Sequence, residues 1–334
     1  MTYIIAEIGV NHNNNINISK RIIDFCVKEK VNAVKFQTFD AEKLALKKTP
    51  KVNYQLRSKK DKENHFEMLK KLQLSKKDHK FLFNYCKKRG IDFISTPYDV
   101  ESARFLYSLK VDAIKVASAD LTDNFLHEFL AKINSKIIIS TGMSNMSEIK
   151  NTLKIYKKKL KDVSLLHCVS NYPCSFSSLN MNCLDNLKKF NCTIGFSDHS
   201  DGYMAAIIAI SKGAKIIEKH ITIDNKLPGP DHKSSLNLKN FKIFLDKIRQ
   251  AKNILGTSKK VLQKEERQML KISRKGLYFK NDFIAGTIIK KSDLIALRPF
   301  NGMKVSDYKS IIHKKLKKDV KKNQSINFKL FRKN

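Results

Sequence analysis

Eight short runs of β-branched and apolar residues recur along the first two thirds of the chain: "YIIAEI", "AVKFQT", "DFISTP", "AIKVAS", "KIIIST", "SLLHCV", "CTIGFS" and "AKIIEKHI". Between them lie longer stretches with apolar residues at helical spacing, among them "NISKRIIDFCVKEK", "VESARFLYSL", "MSEIKNTLKIYKKKL" and "DGYMAAIIAISKG", and "LKNFKIFLDKIRQAKNIL" comes after the last run. Strands that are apolar almost throughout and separated by helices predict a parallel sheet covered on its outer face. Eight such units before Gly256 match a closed (β/α)8 TIM barrel, which takes about 250 residues. An open doubly wound sheet is the structural alternative.

Two departures from a bare barrel stand out. Residues 39–65, "FDAEKLALKKTPKVNYQLRSKKDKENH", form a long polar insertion after the second run, of the length expected of a lid or binding loop. After residue 256 comes a charged bridge, "TSKKVLQKEERQMLKISRKG", and then a β-rich pattern with turn residues at regular intervals, "LYFKNDFIAGTIIKKSDLIALRPFNGM". The reading is a barrel domain over 1–256, a linker over 257–276 and a small second domain over 277–334. A unit of that size carries little core alone and is expected to dock on something.

Composition removes several classes. The six cysteines form no CxxC pair, and several sit inside apolar runs, which points to a reducing, cytoplasmic setting. No apolar stretch reaches the roughly 20 residues of a spanning helix, and the amino terminus lacks a signal-peptide pattern. The net charge of +35 invites a nucleic-acid reading, yet the lysines are spread over outer helix faces along the whole chain, and tryptophan is absent. The charge is read as a solvated surface whose field favours an anionic substrate, with no specific nucleic-acid or membrane partner.

In a parallel barrel the reactive groups lie where strands run out into the succeeding loops. Glu7, Asn11 and His12 stand at the end of the first run, Lys35 and Gln37 on the second, and Ser95 and Thr96 on the third. Lys115, Ser118 and Asp120 belong to the fourth, Ser140 to the fifth, and Ser170 and Tyr172 to the sixth. The last two runs supply Ser197, Asp198 and His199, then Glu218 and His220. Adjacent strands lie about 4.8 Å apart, so His199 and His220 can reach one divalent ion. Asp198 and Glu218 are then supporting or substrate-binding carboxylates, with surface capping as the alternative. Lys35 and Lys115 lie inside apolar runs, where an unpaired cation is costly unless an anion sits beside it. With Ser118, Ser140 and Ser197 they make a phosphate-like site; snorkelling of both lysines out of the barrel is the alternative.

Carried by "IAEIGVNHNNN", "VKFQTF", "FISTPYD", "IKVASAD", "IISTGMS", "LLHCVSNYP", "GFSDHS", "IIEKHIT", "PGPDHKSSL" and "IALRPFNGM", in order over nearly the whole chain, the sequence resembles the sialic acid synthases, including the legionaminic and pseudaminic acid synthases. The resemblance implies a barrel followed by a small antifreeze-like (SAF) domain, and a homodimer in which that domain is swapped over the partner's site. It implies condensation of phosphoenolpyruvate with N-acetylmannosamine or a related N-acetylated hexosamine to give a nine-carbon keto acid and phosphate. His199 and His220 would hold a divalent metal, typically Mn²⁺, with Mg²⁺ or Co²⁺ as alternatives. Lys35, Lys115, Ser118, Ser140 and Ser197 would bind phosphoenolpyruvate. Glu7, Gln37 and Glu218 would be the catalytic centre, and Tyr172, Asp231 and Arg298 would contact the sugar. The chain departs from the commoner family pattern at Asn14, at Ala119–Asp120, where glycine and glutamate are usual, and at Ser170 and Ser175.

Overall fold

The computed structural model describes residues 2–52, 55 and 63–332, so part of the 39–65 insertion lies outside the described residues. The chain divides into two compact units after Gly256.

Among the described residues of the first unit, eight parallel strands close into a barrel: β1 (Tyr3–Gly9), β2 (Ala33–Thr38), β3 (Asp92–Pro97), β4 (Ala113–Val116), β5 (Ile137–Ser140), β6 (Val163–Cys168), β7 (Thr193–Asp198) and β8 (Ile216–Thr222). Each pairs with the next in order, and β1 closes on β8 with Glu7 opposite His220. A two-residue strand, β9 (Leu236–Asn237), adds to the end of β8. The helices between are α1 (Ile16–Lys28), α2 (Ala41–Leu44), α3 (His65–Leu72), α4 (Lys76–Arg89), α5 (Val100–Leu109), α6 (Asn124–Lys132), α7 (Met146–Ile155), α8 (Cys183–Leu187), α9 (Met204–Ser211) and α10 (Leu238–Leu255). The expected (β/α)8 architecture is therefore the observed one, and no described helix is long and apolar enough to cross a membrane.

Local sequence sets the helix ends. Asn145 and Glu148 form a reciprocal capping box at the start of α7. Ser75 accepts from the Asp78 N–H at the start of α4, which stops at Gly90 with φ 70°.

Alternation along the strands sorts the barrel into layers. Ile5, Ala33, Ile94, Ala113, Ile138, Leu166 and Ile216 form one apolar cluster inside the barrel. Two residues further along the same strands stand Glu7, Lys35, Thr96, Lys115, Ser140, Cys168 and Glu218, all facing a cavity. An apolar plug thus floors a polar mouth. On the outer face, Ile4, Val34, Phe36, Phe93, Ile114, Leu165 and Phe196 pack in the main core with α1, α4 and α10.

The second unit contains α11 (Arg267–Ser273) and an antiparallel pair, β10 (Gly276–Phe279) with β11 (Leu294–Leu297). Its size predicts little core, but Leu277, Phe279, Ile289, Met303, Ile311, Leu316, Val320 and Ile326 form a buried cluster of its own. Short bridges draw turns together that the sequence pattern shows only as loops, including Phe283 with Val320 and Leu316 with Phe331.

Gly195 occupies the floor position of β7, where a Cβ would stand 2.4 Å from Leu166 Cδ2 and 2.6 Å from the Ile216 carbonyl oxygen. Backbone cannot yield as a flexible side chain does. Gly195→Ala should destabilise the barrel by about 1–3 kcal/mol, read as a lower urea midpoint; an unchanged midpoint would contradict this packing.

Candidate active site

A cavity of about 460 Å³ opens at the C-terminal mouth of the barrel. It gathers Glu7, Lys35, Gln37, Lys115, Ser118, Ser140, Tyr172, Ser197, His199, Glu218, His220 and Asp231 onto one wall system. All of these are site residues expected from the sequence. Arg298 differs: it is exposed at the end of β11 in the second unit.

Lys35 organises the first sector. Its Nζ lies 2.8 Å from Glu7 Oε2 and 3.7 Å from Glu218 Oε1, and it donates to Thr96 Oγ1 at 3.2 Å. All three side chains are buried. Burial disfavours the ammonium, but Glu218 and Glu7 outweigh it and hold the Lys35 pKa above its ordinary value. Burial pushes the Glu7 carboxyl up to about 7 against the pull of Lys35. Burial acts the same way on Glu218, but Lys35, Lys115 and a 2.9 Å hydrogen bond from Ser197 overcome it and keep that carboxyl below its usual range. Two neighbouring carboxylates are thus held apart in acidity, the pattern of an acid and base pair. Gln37 donates to Glu7 Oε1 at 3.3 Å.

Lys115 anchors the second sector with no carboxylate in contact. It donates to Ser140 Oγ at 2.6 Å and to the Val116 carbonyl at 2.9 Å, and burial lowers its pKa. Nearby, the Gly142 N–H donates to Ser118 Oγ at 3.0 Å. A Cβ on Gly142 would meet Ser170 Oγ at 2.3 Å and Ser118 Oγ at 2.8 Å, so only glycine fits there. An under-compensated ammonium among hydroxyls and a backbone N–H suits an oxyanion.

The third sector holds the histidines. The rings of His199 and His220 are 5.6 Å apart, with Tyr172 against both at 4.0 and 5.5 Å. His199 Nδ1 donates to the Val169 carbonyl at 2.9 Å, which leaves Nε2 with a free lone pair when the ring is neutral. His220 is held neutral, its pKa well below the ordinary value through burial and then the charge of His199. Its Nδ1 is buried without a hydrogen-bond partner, 3.8 Å from Asp231 Oδ2, and Glu218 Oε2 is likewise unpartnered. Burial pushes Asp231 up to about 6.

The remaining wall comes from the insertion and from α3 and mixes polar Thr49, Gln55 and His65 with apolar side chains. Leu44, Pro50, Val52, Met68, Leu69 and Leu72 face the cavity with Val10, and several belong to a satellite core around Phe39 and Phe66. A lid or binding role for the insertion is legible in its length, but α3 as a cavity wall is not: its apolar spacing reads equally as packing. One further residue escapes a reading from sequence. Cys168 is a wall of the cavity, 3.6 Å from His199 Nδ1, with burial overcome by His199 so that its thiol falls to about 7. Asp120 lines the cavity with Oδ2 buried and unpartnered.

Fold and site together define a parallel (β/α)8 barrel with lysines, carboxylates and histidines gathered at its C-terminal mouth. The NeuB family pattern matches residues 22–260, and the chain belongs to that family. An N,N'-diacetyllegionaminic acid synthase of Campylobacter jejuni is 37% identical over 329 residues, 97% of this chain and 98% of its own length. The N,N'-diacetyllegionaminic acid synthase of Legionella pneumophila is 37% identical over 320 residues, 94% of this chain and 90% of its own. A crystal structure of an N-acetylneuraminic acid (sialic acid) synthetase from Leptospira borgpetersenii, in complex with citrate, superposes with a TM-score of 0.71 at 33% identity, covering 80% of this chain and 90% of that one.

Burial, and then Asp123, raises Asp120 to about 7 from an ordinary 3.8. A carboxyl with a raised folded pKa costs nothing below pH 3.8 and costs progressively more up to about 7, because the folded state holds the proton longer. Asp120→Asn should therefore gain on the wild type in urea stability as pH rises from about 4 to about 7, with no further gain above; parallel pH profiles would refute the assignment.

Proposed function

We propose that the chain condenses phosphoenolpyruvate with 2,4-diacetamido-2,4,6-trideoxymannose and water to give N,N'-diacetyllegionaminic acid and phosphate. The observation that carries the reading is one cavity lined both by Lys115 with its serine hydroxyls and by the apolar side chains of Leu44, Pro50, Val52, Met68, Leu69 and Leu72, together with the histidines and carboxylates. Those apolar side chains favour an acceptor with a methyl at C6 and a second acetamido group over the hydroxyl-rich N-acetylmannosamine. The two relatives at 37% identity support the same choice.

Lys115, with Ser140 and Ser118, holds the phosphate, and Lys35 with Ser197 holds the carboxylate end. Fixed in that way, C3 of the enol faces the aldehyde of the open-chain sugar held against Tyr172 and Asp231. A bond forms from C3 to the aldehyde carbon, whose oxygen takes a proton from protonated Glu7 and becomes a hydroxyl. Positive charge develops at C2, and Glu218, kept ionised, stabilises it. Water adds at C2 and gives up a proton to Glu7, which titrates near neutrality. Phosphate then leaves, taking the proton of the C2 hydroxyl, as the C2 carbonyl forms. Gln37 orients Glu7 throughout.

His199 and His220 would hold a divalent cation, Mn²⁺ above others, and the buried, unpartnered His220 Nδ1 and Glu218 Oε2 fit that assignment. Among the described residues no group of three or more His, Cys, Asp or Glu is arranged as a cage, so water and substrate oxygens would complete the shell. Bound there, the ion supplies Lewis-acid polarisation of the aldehyde. The second unit is assigned as an antifreeze-like domain that acts on the partner of a swapped homodimer, with Arg298 reaching the N-acetyl carbonyl of the sugar. The planar fork of an exposed arginine with no ion pair among the described residues suits that contact. The six free cysteines fit a reducing cytoplasm.

Phosphate release should require both phosphoenolpyruvate and the diacetamido sugar, with N-acetylmannosamine a poorer acceptor. Lys115→Ala should raise the KM for phosphoenolpyruvate roughly 10- to 100-fold, the equivalent of losing one charge-assisted contact of about 1.5–3 kcal/mol. Leu69→Ser should narrow the preference between the two sugars. Equal turnover of both sugars by the wild type would overturn the acceptor choice; no release with either would overturn the reaction.

A further inference from the structure

Asp198 and Lys219 stand directly opposite each other on β7 and β8. Their immediate neighbours Ser197, His199, Glu218 and His220 all face the cavity, so strand alternation turns Asp198 and Lys219 to the outer side of the barrel wall. There they meet at 3.0 Å, and both side chains are 2% exposed or less. Lys219 also donates to the Ser200 carbonyl. Asp198 Oδ1 accepts from the Ser200 hydroxyl at 2.6 Å and from the Ser200 N–H at 2.9 Å. From the other side, the Cys174 N–H donates to the His199 carbonyl at 2.9 Å. The backbone on both sides of His199 is therefore gripped by groups that never touch the cavity.

Stability alone gives no reason for this arrangement. A buried ion pair is commonly replaceable by apolar side chains of similar volume without loss of stability, because desolvation offsets the attraction. What apolar packing cannot supply is direction. The pair joins the residue before His199 to the residue before His220, and the Ser200 contacts fix the turn that carries the first imidazole. We propose that Asp198, Lys219 and Ser200 form a positioning network that sets the separation and aim of the two imidazoles from behind the barrel wall. The inference rests on the reading that His199 and His220 hold a divalent cation. Of the readings open from sequence, Asp198 is thus a supporting carboxylate, neither a substrate contact nor a surface cap.

The test is direct Mn²⁺ binding to the full-length chain, followed by electron paramagnetic resonance of the free ion, on the wild type, His220→Ala, Ser200→Ala, and the charge-free double variant Asp198→Asn with Lys219→Met. Thermal midpoints are recorded for each. The double variant should fold with its apolar replacement in place, yet bind Mn²⁺ about 10- to 100-fold more weakly, the usual loss when a group that orients a ligand is removed. Ser200→Ala, a milder change, should weaken binding in the same direction. At saturating Mn²⁺ both should keep the wild-type KM for phosphoenolpyruvate, because the Lys115 sector is untouched. A merely structural role would lower the midpoint and leave Mn²⁺ affinity alone. Wild-type affinity in the folded double variant overturns the network's role; should that variant not fold, wild-type affinity in Ser200→Ala does so. Equal affinity of wild type and His220→Ala removes the two-histidine site itself, a failure distinct from the first.

Discussion

Lys35 is the charge on which the barrel mouth depends. It lies between Glu7 at 2.8 Å and Glu218 at 3.7 Å and compensates two carboxylates that are almost fully buried. Three titratable groups buried this deeply cannot be altered one at a time: a buried pair that loses a partner strands a charge. The Ser197 hydroxyl, the Gln37 amide and the Thr96 hydroxyl complete the set of partners. The difference between the two carboxyls comes from this asymmetry, since Lys35, Lys115 and Ser197 all favour ionised Glu218 whereas desolvation prevails at Glu7.

Lys115 shows the complementary condition. Its contacts are a hydroxyl and a carbonyl, and burial depresses its pKa, so its charge is incompletely balanced by the chain itself. An arriving phosphate would supply what the protein leaves out, and binding energy is largest where a charge has already been stripped of water. Lys35 is thus largely balanced by the chain's own carboxylates before it meets a ligand, whereas Lys115 is not, a difference made by the strand on which each sits.

The apolar floor makes both possible. Ile5, Ala33, Ile94, Ala113, Ile138, Leu166 and Ile216 close the barrel beneath the charges, and Gly195 lets the floor pack without a Cβ. A period of two along each strand places floor and mouth in register, so that a one-residue slip would send charges into the helix ring. At Lys219 and Asp198 charge does face that ring, and there it is paired.

Much of this was written in the residue order. Eight apolar runs separated by helical stretches specify a closed parallel barrel, and polar residues at the ends of those runs specify the mouth, because period two and period 3.6 are local consequences of backbone geometry. The division near residue 256 is legible as a change of pattern, and Glu7, Lys35, Lys115, His199 and His220 are legible as anomalies in otherwise apolar strands. Partnership is not. That Lys35 rests on Glu7 and Glu218 while Lys115 does not, that Cys168 is a wall of the site rather than filler, and that α3 supplies the apolar side of the cavity all depend on distances between residues far apart in sequence. The tail's own core is hidden for the same reason, since Leu277, Ile311 and Ile326 belong to one cluster only after the turns between them close. Sequence determined which residues face inward, since alternation is a property of each strand alone; only closure of the barrel decided which of them meet, since strand register and curvature are set by all eight together.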